Sequence, residues 1–310
     1  MIGYYIKHSL HEELHRVSTP AAAGVWVYGS SVTDDELDSV IKRYELNPNI
    51  VRDVTDLYEL PRVEYSNDIL YVFVRTVRRT KRGAISTTPL LAVVKGSVFM
   101  TLSTTDYFLP ETIINPSSPV TGGSSRLVLL ASLVAIVHEY EELIHRTARY
   151  IISIDQRLRN HEVDNKDFIH FVTIEDNLNE YQTNLTAIQA VLERLKDNRH
   201  DIFNERDCEA IDDISLHAKQ LLVSVASHTQ SINSIRNAYS TIANNTLNKR
   251  MKTLTVLTVL ITLPNVLYGM YGMNIALPFA DEPWAYAAIF GVTIFVIMAA
   301  YVLVRRLKVF

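Results

Sequence analysis

The spacing of apolar residues changes twice along this chain, and each change predicts a different kind of structure. Up to about residue 123 the apolar residues come in short runs bounded by turn formers. GVWVYG (Gly24–Gly29), DILYVFVRTV (Asp68–Val77) and PLLAVVKGSVFMTLS (Pro89–Ser103) are rich in Val, Phe, Tyr and Leu and read as strands. Between the first two, Thr33-Asp34-Asp35-Glu36 has the form of a capping box, in which Thr33 caps orphan N–H groups and Glu36 reaches back; it opens a helix through Arg43. These elements predict a modest α/β sheet domain over residues 1–123, packed against helices.

From Ser124 to Leu263 there is neither Gly nor Pro, and the spacing becomes helical. Leu127, Leu130, Leu133, Ile136 and Val137, then Leu143, Ile151 and Ile154, mark one helix face. The polar stretches Asn160–Lys166 and Asp197–Arg206 are the expected breaks, giving a helical region over 124–205 and a third helix over 206–272. Continued to Gly272, that helix would be ~100 Å long at about 1.5 Å per residue. Its stripe of Ile214, Leu221, Val225, Ile232 and Ile235 calls for partner helices, from its own chain or from copies.

The second change is to unbroken apolar runs. Thr253–Ala280 and Pro283–Val304 contain no charged residue. A bilayer core of ~30 Å requires about 20 apolar residues in a helix, which the spans at about 253–271 and 284–304 supply. A buried core helix is the alternative for either run alone; two in succession followed by Arg305, Arg306 and Lys308 predict membrane spans. Lys249, Arg250 and Lys252 flank the first span, whereas the connection at 273–283 carries Asp281 and Glu282 and no Lys or Arg. Basic residues stay on the cytoplasmic side, so both ends of the hairpin, including the tail at 305–310, are expected inside a plasma (inner) membrane, with the 273–283 loop outside. The N-terminus has neither the apolar core nor the cleavage site of a signal peptide.

Composition then changes the picture in one respect. The averages, 48% hydrophobic and 21% charged, resemble a soluble protein and hide the segregation. Residues 249–310 hold six Lys/Arg and two Asp/Glu, so the net charge of −4 leaves −8 on residues 1–248. An acidic body argues against nucleic acid as a partner and suits attraction of cations. The lone Cys208 fits a reducing compartment.

Two spans per chain cannot enclose an aqueous path, so transport would require copies around an axis. Asn248, Thr255, Thr258, Thr262 and Asn265 recur at spacings of seven, three, four and three, with Met251 between the first two, which places them on one stripe. Polar residues at membrane depth face a bundle interior or a water-filled cavity; alternatively each Thr hydroxyl bonds back to its own helix. With no acid in the span, a passing cation would keep much of its water, which suits Mg2+.

Tyr271-Gly272-Met273-Asn274 at the end of the first span resembles the Gly-Met-Asn signature of the CorA magnesium/cobalt transporters. Asn248-Lys249-Arg250-Met251-Lys252-Thr253-Leu254-Thr255 resembles the family's Asn-x-x-Met-Lys-x-Leu-Thr, Pro264 its mid-span proline, and Pro61-Arg62-Val63-Glu64 its Pro-Arg/Lys-x-Glu before a strand. The resemblance implies a homopentameric funnel of α/β domains, long stalk helices lining the pore and second spans in an outer ring. It implies a selectivity ring of Gly272, Met273 and Asn274 contacting hydrated Mg2+, a cytoplasmic narrowing at Met251 and Leu254, and influx of Mg2+, with Co2+ and Ni2+ as further cargo. Asp213 and His217, four apart on the stalk, match positions where family members bind regulatory cytosolic Mg2+ between subunits; Asp207, Glu209, Asp212 and Asp213 also read as ordinary complements of a helix N-terminus. Leu277-Pro278-Phe279 departs from the family's Met-Pro-Glu, which leaves any outer acidic ring without a place. A zinc-transporting branch shares the architecture, and Met273 favours the magnesium branch.

His138 and His145 are seven apart, so the metalloprotease spacing fails and the His138–His145 stretch reads as a solvated helix face. No enzyme motif and no organic cofactor are expected. A non-transporting membrane-anchored scaffold or sensor is the competing class; it leaves Asn274 and the polar stripe without a role.

Overall fold

The structure is a computed structural model that describes residues 1–6, 15–17, 24–80, 83–107, 124–159, 165–273 and 282–306. Asn274, Leu277-Pro278-Phe279, Asp281 and Lys308 lie outside these residues. The chain divides into two compact units, Met1–Ile235 and Arg236–Phe310.

The first unit is built on a seven-stranded sheet: β1 (Ile2–Ile6), β2 (His15–Val17), β3 (Trp26–Gly29), β4 (Arg62–Ser66), β5 (Ile69–Arg79), β6 (Ile85–Lys95) and β7 (Val98–Leu102), in the order β2-β1-β3-β7-β6-β5-β4. All pairs are antiparallel except β3 with β7. The segment Pro89–Ser103, expected as one strand, is a hairpin. Gly96, at φ +54, opens the two-residue loop where Lys95 pairs with Val98. Asn67 and Asp68, both at positive φ, make the other two-residue hairpin loop between β4 and β5.

Alternation assigns the two faces of the sheet. Tyr71, Phe73, Leu91, Val93, Met100 and Leu102 form one buried core with α1 (Asp34–Tyr44) and α2 (Pro48–Arg52). The Thr33–Glu36 capping box is formed, with both reciprocal bonds present. Leu70, Val72, Val74, Leu90 and Ala92 point the other way and are also buried; α3 (Ser125–Arg159) and α4 (Asn165–Lys196) pack on the sheet. The result is a sheet covered on both faces.

Arg62 of the Pro61-Arg62-Val63-Glu64 motif lies within β4, not ahead of it. It pairs with Asp53, Glu59 and Glu64, and its guanidinium sits 4.2 Å from the centroid of the buried Phe73 ring. The motif therefore ties the α2 end of the chain to the sheet.

The helices α3, α4 and α5 (Glu205–Tyr271) carry buried stripes; the predicted positions on α5 are all buried, whereas on α3 Leu127 and Leu143 are only partly buried and Tyr140 and Ile144 hold the seam. On α4 the buried positions include Phe171, Ile174, Leu178, Tyr181, Leu185, Ile188, Leu192 and Leu195, alternating three and four apart as in a coiled-coil seam, with Asn177, Asn184, Gln189 and Val191 buried beside them. On α5, Ile211, Ile214, Ala218, Leu221, Val225, Ile232 and Ile235 do the same, with His228 at the one position of the pattern not filled by an apolar residue. The partners of this α5 stripe are helices of its own chain: Gln189 of α4 donates to Ser215 at 2.5 Å, and Glu141 of α3 pairs with His217.

The second unit holds the rest of α5 and α6 (Ala285–Arg306). Both helices are long and apolar enough to cross a membrane.

Candidate ion pathway

Two stripes of reduced exposure run along the helices of the second unit. On α5 they are Val256, Leu260, Leu263 and Leu267; on α6 they are Ala285, Ile289, Thr293, Val296 and Ala300. Each stripe runs along one face of its helix, the pattern that packing against another helix leaves. Thr293, 4% exposed, bonds back to the Ile289 carbonyl at 2.8 Å and so brings no unpaired donor to that contact. Outside these stripes the apolar side chains are bare, including Leu254, Leu257, Ile261 and Val266 of α5, and Phe290, Phe295 and Met298 of α6. So extensive an apolar surface calls for lipid or further copies of the chain to cover it.

The polar stripe lies elsewhere. Asn248, Met251, Leu254, Thr255, Thr258, Thr262 and Asn265 are all exposed. At about 3.6 residues per turn they fall between a quarter and half a turn away from the Val256–Leu267 stripe. The polar residues therefore lie off the one stripe of this part of α5 that is partly covered.

The threonines do bond back to their own helix. The hydroxyls of Thr255, Thr258 and Thr262 donate to the carbonyls of Met251, Leu254 and Thr258 at 2.9, 2.9 and 2.8 Å. That geometry uses the hydroxyl hydrogen and leaves the oxygen lone pairs facing outward. The waters around a cation point their hydrogens away from it, so a row of acceptors is the complement a hydrated ion requires. The back-bond and the polar pathway, alternatives at the level of sequence, are compatible.

Pro264 interrupts the backbone ladder without ending α5; lacking an N–H, it withholds the usual helical donor from the Leu260 carbonyl. The helix ends at Tyr271, with Gly272 donating to the Tyr268 carbonyl at 3.0 Å and Met273 to that of Met270 at 3.3 Å. A Cβ on Gly272 would stand 3.3 Å from the Tyr268 carbonyl oxygen, so the signature glycine lets the chain turn tightly there.

The acidic cluster at the start of α5 separates into distinct roles. Asp207, 4% exposed, accepts from the Asn204 backbone N–H at 3.1 Å while Asn204 accepts from its own, a reciprocal cap. Asp212 pairs with Lys196 at 2.6 Å. Asp213 is exposed. His217 turns to Glu141 of α3 at 3.4 Å.

The His138–His145 stretch is more than a solvated face. Glu139 is half-buried, and burial, with Glu142 adding negative charge, raises its pKa to about 7. Glu141 receives His138 at 2.9 Å, His145 at 3.5 Å and His217 at 3.4 Å. Burial raises its pKa, but the bonds from the three histidines and the charge of His217 outweigh that and hold it below the ordinary value. The spacing of His138, Glu141 and His145 on one helix face was visible in the sequence; the arrival of His217 from α5 was not.

A sheet domain covered on both faces, one long helix and two helices long and apolar enough to cross a membrane make up the arrangement of a two-span membrane protein with a large polar domain. Residues 21–306 match the family described as CorA-like Mg2+ transporter protein, and the chain belongs to that family. It is 22% identical over 290 residues to the cobalt/magnesium transport protein CorA of Methanocaldococcus jannaschii, covering 91% of this chain and 90% of that one. The complete structure of that magnesium transporter superposes with a TM-score of 0.82 at 20% identity, over 99% of this chain and 98% of the other. The full-length CmaX protein follows at 0.76 and 16%, over 99% and 97%. The ZntB cytoplasmic domain from Vibrio parahaemolyticus superposes at 0.60 and 8%, over 78% of this chain and 98% of that domain.

Proposed function

We propose that this chain forms a homopentameric channel-like transporter that admits hydrated divalent cations, Mg2+ first and Co2+ or Ni2+ with it, through a central path lined by α5. The observation that carries the reading is the row Asn248, Thr255, Thr258, Thr262 and Asn265, all exposed and a quarter to half a turn from the partly covered Val256–Leu267 stripe. Neutral oxygens suit an ion that parts reluctantly with its waters, and five copies of the row would make successive acceptor rings. Met251 and Leu254, one turn nearer the basic flank, are the apolar narrowing. Gly272, Met273 and Asn274 form the outer selectivity ring, with five Asn274 amide oxygens accepting from the ion's waters.

In this reading both termini are cytoplasmic, the membrane is the plasma membrane, and Asp213 senses internal Mg2+ by sharing it with a neighbouring subunit. The protein acts as a transporter and carries out no catalysis. The family and the cobalt/magnesium relative support the choice of ion. Zinc as cargo is the second reading, favoured only by the shared fold of the ZntB domain.

The test is flux into liposomes holding the purified protein, with Mg2+, Co2+, Ni2+ and Zn2+ in competition, for the wild type and for Asn274→Ala. Mg2+ flux lost in an assembled Asn274→Ala pentamer is the expected result. Wild-type flux in that variant removes the selectivity role; preferred Zn2+ flux moves the chain to the zinc reading; no flux of any ion leaves a membrane-anchored scaffold.

A further inference from the structure

On the face of the sheet that meets α3, the helix stops short of one end and leaves a cleft that ion conduction does not use. Pairing sets the residues of that end on one face: Tyr5 opposite Arg16, Gly3 opposite Tyr28, and Arg78 opposite Ser86, in register with Leu90 and Val74. Under α3 this face is apolar and buried. Beyond it lies a cavity of about 1050 Å3, lined by Tyr5, Tyr28, Arg16 and Arg78 and walled by Glu139 of α3. Its size is at the upper end of the range for small-molecule sites, about 300–1,000 Å3. The Tyr140 hydroxyl donates to the Arg75 carbonyl at 3.1 Å, which holds α3 to the sheet beside Glu139.

We propose that this cleft binds a nucleoside phosphate, with the base against the Tyr5 and Tyr28 rings, the sugar hydroxyls donating to Glu139, and the phosphate oxygens accepting from Arg16 and Arg78. Three sets of groups stand ready there. Arg16 is exposed with no hydrogen bond or ion pair among the described residues, and Arg78 makes only one bond, of 3.4 Å, to the Asp106 carbonyl. Guanidinium groups match phosphate oxygens in charge and geometry, and residues 1–248 carry −8, so few other places on this body suit an anion. Asp106, the other acid of the cleft, accepts from the Ser30 hydroxyl at 3.0 Å. Tyr5 and Tyr28 are half-buried, 6.2 Å apart and edge to face, and so present ring surface to the cavity on which a base can stack. Glu139 is half-buried and accepts no hydrogen bond among the described residues, a cost that donors from a ligand would relieve. Burial, with the charge of Glu142, raises its pKa to about 7, so near neutrality it opposes a phosphate only in part.

The test is calorimetric titration of the full-length protein in detergent and chelator, with ADP, 2′-deoxy-ADP and pyrophosphate as probes. The expected result is saturable binding of ADP. Pyrophosphate, which lacks the base, should bind about tenfold or more weaker, and 2′-deoxy-ADP, which lacks one donor to Glu139, several-fold weaker. Arg16→Gln and Arg78→Gln should each weaken ADP by about tenfold to a hundredfold, the worth of a hydrogen bond to a charged group. Both should keep the wild-type elution volume, because both side chains are exposed. The proposal is overturned by an absence of ADP binding, by pyrophosphate binding as tightly as ADP, or by arginine variants that bind ADP like the wild type. Should Arg78→Gln misassemble, Arg16→Gln decides alone, since that side chain has no partner to lose. None of these titrations depends on whether the chain conducts ions.

Discussion

Glu139 sits half out of water on α3, and burial, then the charge of Glu142, raises its pKa to about 7 from the ordinary 4.5. Below about pH 4.5 the carboxyl is neutral in both the folded and the unfolded chain and makes no difference to stability. Between that and about pH 7 the unfolded chain loses its proton while the folded one keeps it, so stability falls as pH rises; above about 7 the loss is constant. At about 1.4 kcal/mol per pKa unit, the full loss is at most ~3.5 kcal/mol. Glu139→Gln should therefore raise the thermal midpoint above neutral pH and leave it unchanged near pH 4. A gain that is the same at both ends of the range would show that ionisation is not the cause. The pathway threonines make a second case at this scale. Thr258→Val and Thr262→Val keep side-chain volume but remove the outward acceptor lone pairs, and liposome flux should drop several-fold with assembly unchanged. Full flux in the double variant would mean the row does not touch the ion's waters.

Among the elements, α1 shows a local signal realised without change. Thr33 and Glu36 make their reciprocal bonds, and Glu36 also takes the amino group of Met1 at 3.2 Å. Thr33→Ala should cost about 1 kcal/mol, the usual worth of such a cap, read as a lowered denaturation midpoint of the purified protein. No loss would mean that the Met1 contact alone holds the helix end. The helices from Ser125 onward were visible in the sequence for the same reason: heptad-like spacing and the absence of Gly and Pro act within one element. The β6–β7 hairpin was not, because a run of apolar residues looks alike on both sides of a two-residue turn, and only Gly96 marked the reversal. Nor was the role of Arg62, whose three carboxylate partners are gathered by the turn out of α2 as well as by neighbours along its own strand.

For the whole molecule, the proposed pentamer carries the regulatory prediction. Asp213 is exposed on α5, available to a neighbouring copy. A Mg2+ ion shared between subunits favours the closed state because the site exists only there; its removal leaves carboxylates repelling within a Debye length of ~8 Å. Asp213→Lys supplies a fixed positive charge, so protease resistance of α5 should become independent of Mg2+. If the variant still needs Mg2+ with the same midpoint, the sensor lies elsewhere on the helix.

What could be known from the order of residues was whatever depends on near neighbours or on bulk solvent: the capping box, the helical stripes, the two runs long enough for a bilayer, the polar row on one face, and the family signature ending in Asn274. These follow from periodicity and from the transfer of apolar length out of water, which need no partner from afar. The third dimension was needed for interactions whose partners stand far apart in the chain. Glu141 meets His217 across 76 positions, and Arg62 draws its carboxylates from the turn after α2 and from β4. Coulombic attraction and desolvation depend on distance through space, and that distance is set by how the elements pack.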